Sequence, residues 1–468
     1  MHSETLAPDA ASDLATTPPA PARRNPLLAM VAVAYVLRVA DMLATKSYLF
    51  PPPFPIRDPL KQGWYFGFEI GRVARSIAAG HGFGSPFHGW TGATAWLAPV
   101  YPYLLAGVFR VFGIYTAASG VVILALNSLF AALTCVPIFR IAERMFGRRL
   151  ALWTAWLWAV TPLFFGVPVN WAWETSLSTL LLCLALLLTL RLRPSAPTPG
   201  APGCKPWLVW GLLWGVIALT NPSLLSLMPF ALAWALWHRP TSAKSGQTRG
   251  AMPVAVGLIA CALTVAPWLV RNHSVFGRWI FIRDNFGAEL RFGNAEQATG
   301  VWLGWMHPTV NDVELKRYGA VGELAYVAEK KREALQFIRR RPGFFLDLTV
   351  RRFFMYWCNV PKSLTDARAR EVLTDDWPTI CFSALALLGL LQMVRRKPRQ
   401  AWFFAPALLV YPALYYVTYP HPRYRHPIEP LMLMLAVFVV SEAKEFAGRA
   451  GSSPGAEAQY RCGSSRRG

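Results

Sequence analysis

Apolar stretches recur along the whole chain, and they constrain its fold more than any other feature. Many of them reach the ~20 residues that cross a bilayer. The chain is 54% hydrophobic, only 15% charged and contains 20 Trp, whereas a soluble domain carries about 25% charged residues. The stretches lack strand alternation, and an open sheet would leave backbone groups unpaired in lipid. The sequence therefore predicts an all-α polytopic membrane protein.

Basic clusters follow alternate apolar stretches and predict the topology. They lie at Arg140–Arg149, Arg191–Lys205, His238–Arg249 and Arg395–Arg399. Cytoplasmic loops collect Lys and Arg, so the net charge of +22 is explained without nucleic-acid binding. The pattern predicts a bundle of about ten (8–12) transmembrane helices with both termini in the cytoplasm.

The same pattern divides the chain into three parts. We expect disordered cytoplasmic tails at 1–25 and 446–468 and a transmembrane domain at 26–445. Two segments of that domain are expected on the outer face, a first loop at 45–115 and a larger polar region at 271–375. Helical composition and spacing predict outer helices at Glu69–Ala79, Pro99–Phe112, Leu324–Arg340 and Pro342–Asn359.

Glu69 is the leading candidate for a catalytic group. It is the one acid of the segment Trp64–Trp90, and its neighbours Phe66, Phe68 and Ile70 are apolar. Partial desolvation would raise its pKa and suit it to accept a proton. The alternative is an acid that starts a helix and is favoured by the helix dipole.

The segment Arg423–Pro430, RYRHPIEP, is the second candidate. Arg423 and Arg425 flank Tyr424 at the mouth of a predicted span, a pattern suited to a phosphate. The alternative is interfacial anchoring, which is common for Arg and Tyr.

Weaker candidates lie in the other outer segments. Glu174 is a possible second acid, although capping of the following helix explains it equally well. Arg72 and His81 of the first loop suit a phosphate or sugar, and Tyr101 offers an aromatic face on which a sugar can stack. His81 and His88 have no metal-ligand spacing, so we expect no metal site. The seven scattered Cys form no CxxC pair and are expected to be core residues.

Four blocks of the chain resemble the GT-C class of membrane glycosyltransferases. They are FGFEIGRVARSIAAGHGFGSPF, TAWLAPVYPYLLAGVFRVFG, Pro267–Asn294 and Tyr411–Pro430. The nearest group is family-39-like and includes protein mannosyltransferases and lipid A aminoarabinose transferases. Each block alone is loose, but their order along residues 27–440 is more specific.

The resemblance implies an inverting glycosyltransferase of the bacterial inner membrane whose site faces the periplasm. Such enzymes take a sugar from a polyprenyl-phosphate donor and pass it to a lipid, glycan or protein acceptor, with no separate cofactor. A first-loop acid acts as the base or orients the acceptor, which fits Glu69. Basic residues hold the lipid phosphate, which fits Arg423 or Arg425.

The chain departs from the family pattern in the first loop. Many relatives carry an Asp-Glu pair where this chain has Phe66 and Gly67, and a Tyr where it has Ile70. Glu69 alone remains, so Glu174 or Asp41 is an alternative base. A lipid-linked-sugar transporter or flippase is the alternative function, but it needs polar residues deep in several spans. The main ones here are Arg38, Asp41 and Asn127.

Overall fold

The chain forms a bundle of α-helices, and the described residues contain no β-strand. The structure is a computed structural model that describes residues 26–50, 66–192, 203–237, 248–359 and 376–451. The described helices are α1 (Pro26–Thr45), α2 (Glu69–Ala78), α3 (Val100–Phe112), α4 (Ala117–Leu133), α5 (Cys135–Phe146), α6 (Arg148–Val160), α7 (Gly166–Asn170), α8 (Thr175–Leu192), α9 (Cys204–Thr220), α10 (Met228–Leu236), α11 (Thr248–Phe276), α12 (Phe286–Gly293), α13 (Asp312–Val321), α14 (Glu323–Arg340), α15 (Pro342–Cys358), α16 (Trp377–Arg396), α17 (Pro398–Leu409), α18 (Ala413–Val417), α19 (Pro422–Arg425) and α20 (Glu429–Gly451).

Six helical segments of the described chain are long and apolar enough to cross a membrane. They are Pro26–Thr45, Ala117–Phe146, Thr175–Leu192, Ala251–Phe276, Trp377–Arg396 and Pro422–Ala443. Three shorter apolar helices lie at Val100–Phe112, Cys204–Thr220 and Pro222–Leu236. The chain is thus a multi-pass, all-α membrane protein, as predicted.

Two apolar stretches whose length predicts membrane spans, 150–167 and 402–417, are interrupted in the structure. In the first stretch the helix α6 ends at Val160 because Pro162 follows and disfavours helical geometry in the residue before it. The stretch 402–417 is divided between α17 and α18, with Pro412 immediately before α18. The predicted tail 1–25 lies outside the described residues, whereas 446–451 of the second tail continue α20.

Small residues let α9 and α11 approach closely. A Cβ on Gly211 would lie 1.8 Å from the Gly257 carbonyl oxygen, and one on Gly215 would lie 2.5 Å from Thr264 Cβ. Lipid tails are as apolar as Leu, so close packing of small residues holds membrane helices together where the hydrophobic effect cannot. The pair forms one wall of the bundle.

The buried polar residues expected in the spans have structural partners. Arg38 is fully buried and donates to the Trp158 and Ala159 carbonyls at 2.8 and 3.0 Å, where α6 ends and its carbonyls lack helical partners. Asn127 accepts from the Tyr101 hydroxyl at 2.8 Å and donates to the Trp171 carbonyl at 2.8 Å. Arg38 and Asn127 therefore connect neighbouring segments of the bundle by hydrogen bonds.

Two apolar cores organise the chain. The first joins residues of the helices α1, α5, α6, α8, α9, α16, α17 and α20. The second joins α2, α3 and the segments that precede α4 and follow α11, and it includes Trp96, Phe292 and Tyr326. The second core therefore places the first loop against the region 271–359 at one end of the spans.

Glu323 links the first loop to the region 271–359 by hydrogen bonds. Its carboxylate accepts hydrogen bonds from the Ala95 amide at 2.6 Å, from the Tyr318 hydroxyl at 2.7 Å and from the Thr94 hydroxyl. Burial raises the pKa of Glu323 to about 7, although these three donors oppose the shift. The ionised form is therefore costly in the folded protein at neutral pH.

We expect this carboxyl to make stability fall as pH rises. The pKa of Glu323 is raised from 4.5 to about 7 in the folded state, so between these pH values the folded state keeps a proton that the unfolded state has released. The contribution of Glu323 to the free energy of unfolding is therefore greatest below pH 4.5, and about 3 kcal/mol of it is lost by pH 8. Thermal melts of the detergent-purified protein from pH 4.5 to 8 measure the loss. Glu323→Gln should flatten this dependence; a wild-type profile no steeper than that of the variant would contradict the assignment.

Candidate active site

The backbone before α2 presents Glu69 to the interior. Gly67 has φ +86° and a Cβ there would lie 2.2 Å from the Ala172 carbonyl oxygen, so the first loop packs directly on the segment before α8. Phe68 has φ 50° and ψ −119°, a strained conformation for a residue with a side chain. Glu69 follows as the first residue of α2 and is 7% exposed.

His307 is the direct partner of Glu69. Its Nε2 lies 2.9 Å from Glu69 Oε1, and its Nδ1 accepts the Thr309 amide at 3.1 Å. Because Nδ1 is an acceptor, the ring proton resides on Nε2 and is donated to Glu69. The rings of Phe292 and Trp302 pack edge-on at 5.0 and 5.4 Å and fix the imidazole. Sequence reasoning missed His307, which lies in a loop with no motif.

The pKa of Glu69 is lower than the sequence analysis expected. Burial raises the pKa, but the hydrogen bond that His307 donates and the charge of Arg423 oppose this effect, and the net result is a pKa below 4.5. The expectation of a raised pKa was wrong because it considered only the apolar neighbours in sequence. Glu69 is therefore an ionised carboxylate at neutral pH.

A polar cavity of about 240 Å³ opens beside this pair. It lies among the start of α8, the segment 281–289 of the loop and α12, and the segment from Tyr411 to Pro427. Its lining includes Glu174, Thr175, Asn221, Ser223, Phe281, Arg283, Asn285, Phe286, Glu289, Tyr411, Tyr415, Tyr419, Arg423 and Tyr424. Glu69 is not part of the lining, but its charge acts on Arg423, Glu174 and Glu289.

Two guanidinium groups in this lining have no carboxylate partner among the described residues. Arg423 packs 3.5 Å from the centre of the Trp173 ring, and its Nη2 lies 3.4 Å from the Tyr424 hydroxyl. Arg283 donates from Nε to the Trp96 carbonyl at 3.2 Å. Unpaired guanidinium groups beside a cavity are suited to a phosphate, whose oxygens match their donors.

The two carboxyl groups in the lining differ in their hydrogen bonds. Glu289 is bonded on both oxygens, by the Asn285 amide at 2.7 Å and by the Tyr419 hydroxyl. Glu174 Oε2 is buried and has no hydrogen-bond partner among the residues that the structure describes. Burial raises the pKa of both carboxyls, and for Glu174 the charges of Arg423 and Arg283 oppose that shift.

Tyr424 also lines the cavity, where its ring stacks on that of Tyr415 at 4.5 Å. The other predicted site residues lie outside the cavity lining. Arg72 is 2% exposed and reaches Thr309 Oγ1 at 3.4 Å, one helical turn beyond Glu69 but outside the lining. His81 is exposed and packs on Trp90 at 4.0 Å. Tyr101 is buried in the second core with its hydroxyl on Asn127.

Arg425 is likewise turned away from the cavity. Its Nε lies 3.2 Å from Glu429 Oε1, and His426 Nδ1 lies 2.8 Å from Glu429 Oε2. Both side chains of the Arg425–Glu429 pair are less than 10% exposed. This pair joins α19 to α20 and has the features of a structural ion pair.

We expect Arg425→Leu to destabilise the protein without affecting phosphate binding. Removal of one partner leaves the Glu429 carboxylate buried with only His426, at a cost of about 3 kcal/mol. Thermal melting of the purified variant measures the loss, and Arg425→Leu combined with Glu429→Leu should recover part of it. If the folded single variant bound polyprenyl phosphate at least tenfold more weakly, Arg425 would be a phosphate ligand after all.

Among the described residues, no group of three or more His, Cys, Asp and Glu side chains is arranged to hold a metal ion. Six Cys in the described ranges are free thiols.

Comparison with known proteins identifies a protein family and solved structures that this chain resembles. Residues 97–270 match the protein family described as dolichyl-phosphate-mannose-protein mannosyltransferase. The apo crystal structure of the oligosaccharyltransferase of Archaeoglobus fulgidus matches over 92% of this chain with a TM-score of 0.50 and 13% identity. This chain therefore shares the fold of that enzyme. The predicted resemblance and fold class are thereby confirmed.

Two further solved structures are similar over most of this chain. The Archaeoglobus fulgidus enzyme in complex with an inhibitory peptide and a dolichol-phosphate has 14% identity and a TM-score of 0.48, covering 91% of this chain and 51% of its own. ArnT from Cupriavidus metallidurans bound to undecaprenyl phosphate has 12% identity and a TM-score of 0.39, covering 90% and 79%. The chain spans about half the length of the archaeal enzyme, 52% for the apo form. None of the curated proteins matches it in sequence.

Proposed function

We propose that this protein is a GT-C glycosyltransferase that transfers a sugar from a polyprenyl-phosphate donor to a lipid, glycan or protein acceptor, with inversion at the anomeric carbon. The observation that carries the proposal is the polar cavity. Arg423 and Arg283, whose guanidinium groups have no carboxylate partner in the part of the chain that the structure describes, line it, and the ionised Glu69 lies close enough for its charge to act on Arg423.

In the proposed reaction the donor phosphate binds at Arg423 and Arg283. An acceptor hydroxyl attacks the anomeric carbon; the new carbon–oxygen bond forms as the bond to the phosphate oxygen breaks. Glu69 takes the hydroxyl proton, and the electron pair leaves with the phosphate, whose developing charge the guanidinium groups stabilise. Glu174 is the alternative base, since it lines the cavity directly.

The site is proposed to face the periplasm of a bacterial inner membrane. Glu174 immediately precedes one candidate span, Arg423 is the second residue of another, and Arg283 follows a third. Arg396, of the basic cluster Arg395–Arg399, pairs with Glu442 at the end of the span Pro422–Ala443 that lies opposite Arg423, as expected for a cytoplasmic end. Trp90 is exposed, and labelling of a Trp90→Cys variant from the outside of intact cells tests this orientation.

Sugar transfer by the purified protein tests the proposal. The protein in nanodiscs is given polyprenyl-phosphate donors with labelled sugars, together with cell-envelope lipids, glycans and peptides as acceptors. We expect labelled acceptor and one equivalent of free polyprenyl phosphate, both dependent on Glu69. Donor lipid that crosses the bilayer with its sugar intact, and no labelled acceptor, would instead identify a flippase.

A further inference from the structure

Glu174 is a carboxyl group in the cavity lining that the proposed chemistry does not use when Glu69 is the base. Its Oε2 atom is buried, yet no group in the described ranges donates a hydrogen bond to it. Buried polar atoms in proteins are almost always paired, so an unpaired carboxylate oxygen calls for a donor from outside the chain. Glu289, the other acid in the lining, has both oxygens bonded and needs none.

The surroundings of Glu174 indicate the kind of donor. Its charge acts on the hydroxyls of Tyr411 and Tyr415, which bond to each other at 3.1 Å. Ser223 interacts with Tyr415, and Asn221 is its neighbour in the lining. This part of the cavity therefore offers neutral hydroxyl and amide groups, the groups that proteins use to orient polar, uncharged ligands.

Two charged alternatives fit less well. A phosphate at Glu174 would bring a second negative charge against the carboxyl. An ammonium group would suit Glu174 but would face the positive charges of Arg423 and Arg283, which already act on this carboxyl. A sugar hydroxyl brings a donor without either repulsion.

We propose that Glu174 accepts a hydrogen bond from a hydroxyl of the donor sugar and, with Asn221, Ser223 and the Tyr411–Tyr415 pair, forms a subsite selective for neutral sugars. The inference depends on the proposed function, in which the phosphate of the same donor lies at Arg423. It assigns two groups of lining residues in one cavity to two parts of one ligand. Glu174 thereby sets which sugar is accepted, and Glu69 remains the base.

Binding of donors with and without the sugar tests this assignment. Dissociation constants are measured in nanodiscs for polyprenyl phosphate, for the same lipid with a neutral hexose and for the same lipid with an amino sugar. Wild type is expected to bind the neutral-hexose lipid at least tenfold more tightly than the bare lipid. Glu174→Ala should abolish that preference and leave the affinity for bare polyprenyl phosphate unchanged, while Glu174→Gln keeps part of it.

Three other outcomes would contradict either the neutral-sugar subsite or the proposed function. An equal loss of affinity for both lipids in Glu174→Ala, with normal melting, would place Glu174 at the phosphate. A wild-type preference for the amino-sugar lipid would make it an ammonium site. In both cases the proposed function stands and the neutral-sugar subsite fails. Glu296→Gln, which changes an exposed acid, is the control variant. If neither wild type nor this control bound bare polyprenyl phosphate, the proposed function itself would fail.

Discussion

Replacement of Glu69 by Gln is expected to lower the rate of sugar transfer about 10³-fold, because general-base catalysis contributes 10²–10⁴-fold. Gln keeps the size of the side chain and still pairs with His307, but it cannot take the acceptor proton. Affinity for bare polyprenyl phosphate should remain within about twofold, since the phosphate ligands are untouched. Single-turnover transfer with saturating donor measures the rate.

A matched control and a pH profile separate catalysis from folding. Glu296→Gln changes an exposed acid and should leave transfer unchanged. The lowered pKa of Glu69 keeps it ionised, so wild-type transfer should fall only below pH 4.5. His307→Phe removes the hydrogen bond that lowers this pKa, and the acidic limb should move to higher pH. Full activity in Glu69→Gln would remove Glu69 from the mechanism and leave Glu174 as the base.

Replacement of Arg423 by Gln is expected to lower kcat/KM about 10²-fold, the loss typical of one donor to a developing charge. The guanidinium has no carboxylate partner among the described residues and packs on Trp173, so its removal breaks no direct ion pair. Arg423→Lys should recover only part of the activity, since an ammonium group neither matches two phosphate oxygens nor stacks well on an aromatic ring. Transfer kinetics over a range of donor concentrations measure the effect.

The control for Arg423 is Arg339→Gln, on the exposed face of α14. That variant should keep wild-type kcat/KM. If both variants lost activity equally, the effect would come from net charge. If Arg423→Gln bound bare polyprenyl phosphate as tightly as wild type, the phosphate would lie elsewhere in the cavity.

The fold was largely predictable, because apolar length and local composition determine it. The expected helix Glu69–Ala79 is observed as Glu69–Ala78, and Leu324–Arg340 as Glu323–Arg340. Spans were less predictable where proline interrupts an apolar stretch, as at Pro162 and Pro412. There hydrophobicity continues although the helix ends.

The site was only partly predictable, because it depends on contacts between distant segments. Glu69, Glu174, Arg423 and Tyr424 come together near one cavity. His307 was missed, since a lone His in a loop carries no local signal of the acid 238 positions away that it contacts. Arg423 and Arg425 are two residues apart and equivalent in sequence, but one faces the cavity and the other faces Glu429.

A lipid phosphate is expected to bind at Arg423 and Arg283 with its sugar beside Glu174 and Glu69. A structure of the protein in nanodiscs with a non-transferable polyprenyl-phosphate sugar decides this. It should show phosphate oxygens at hydrogen-bond distance, about 3 Å, from both guanidinium groups, with the anomeric carbon turned toward Glu69. A phosphate bound outside the polar cavity, with that cavity unchanged, would rule this binding mode out.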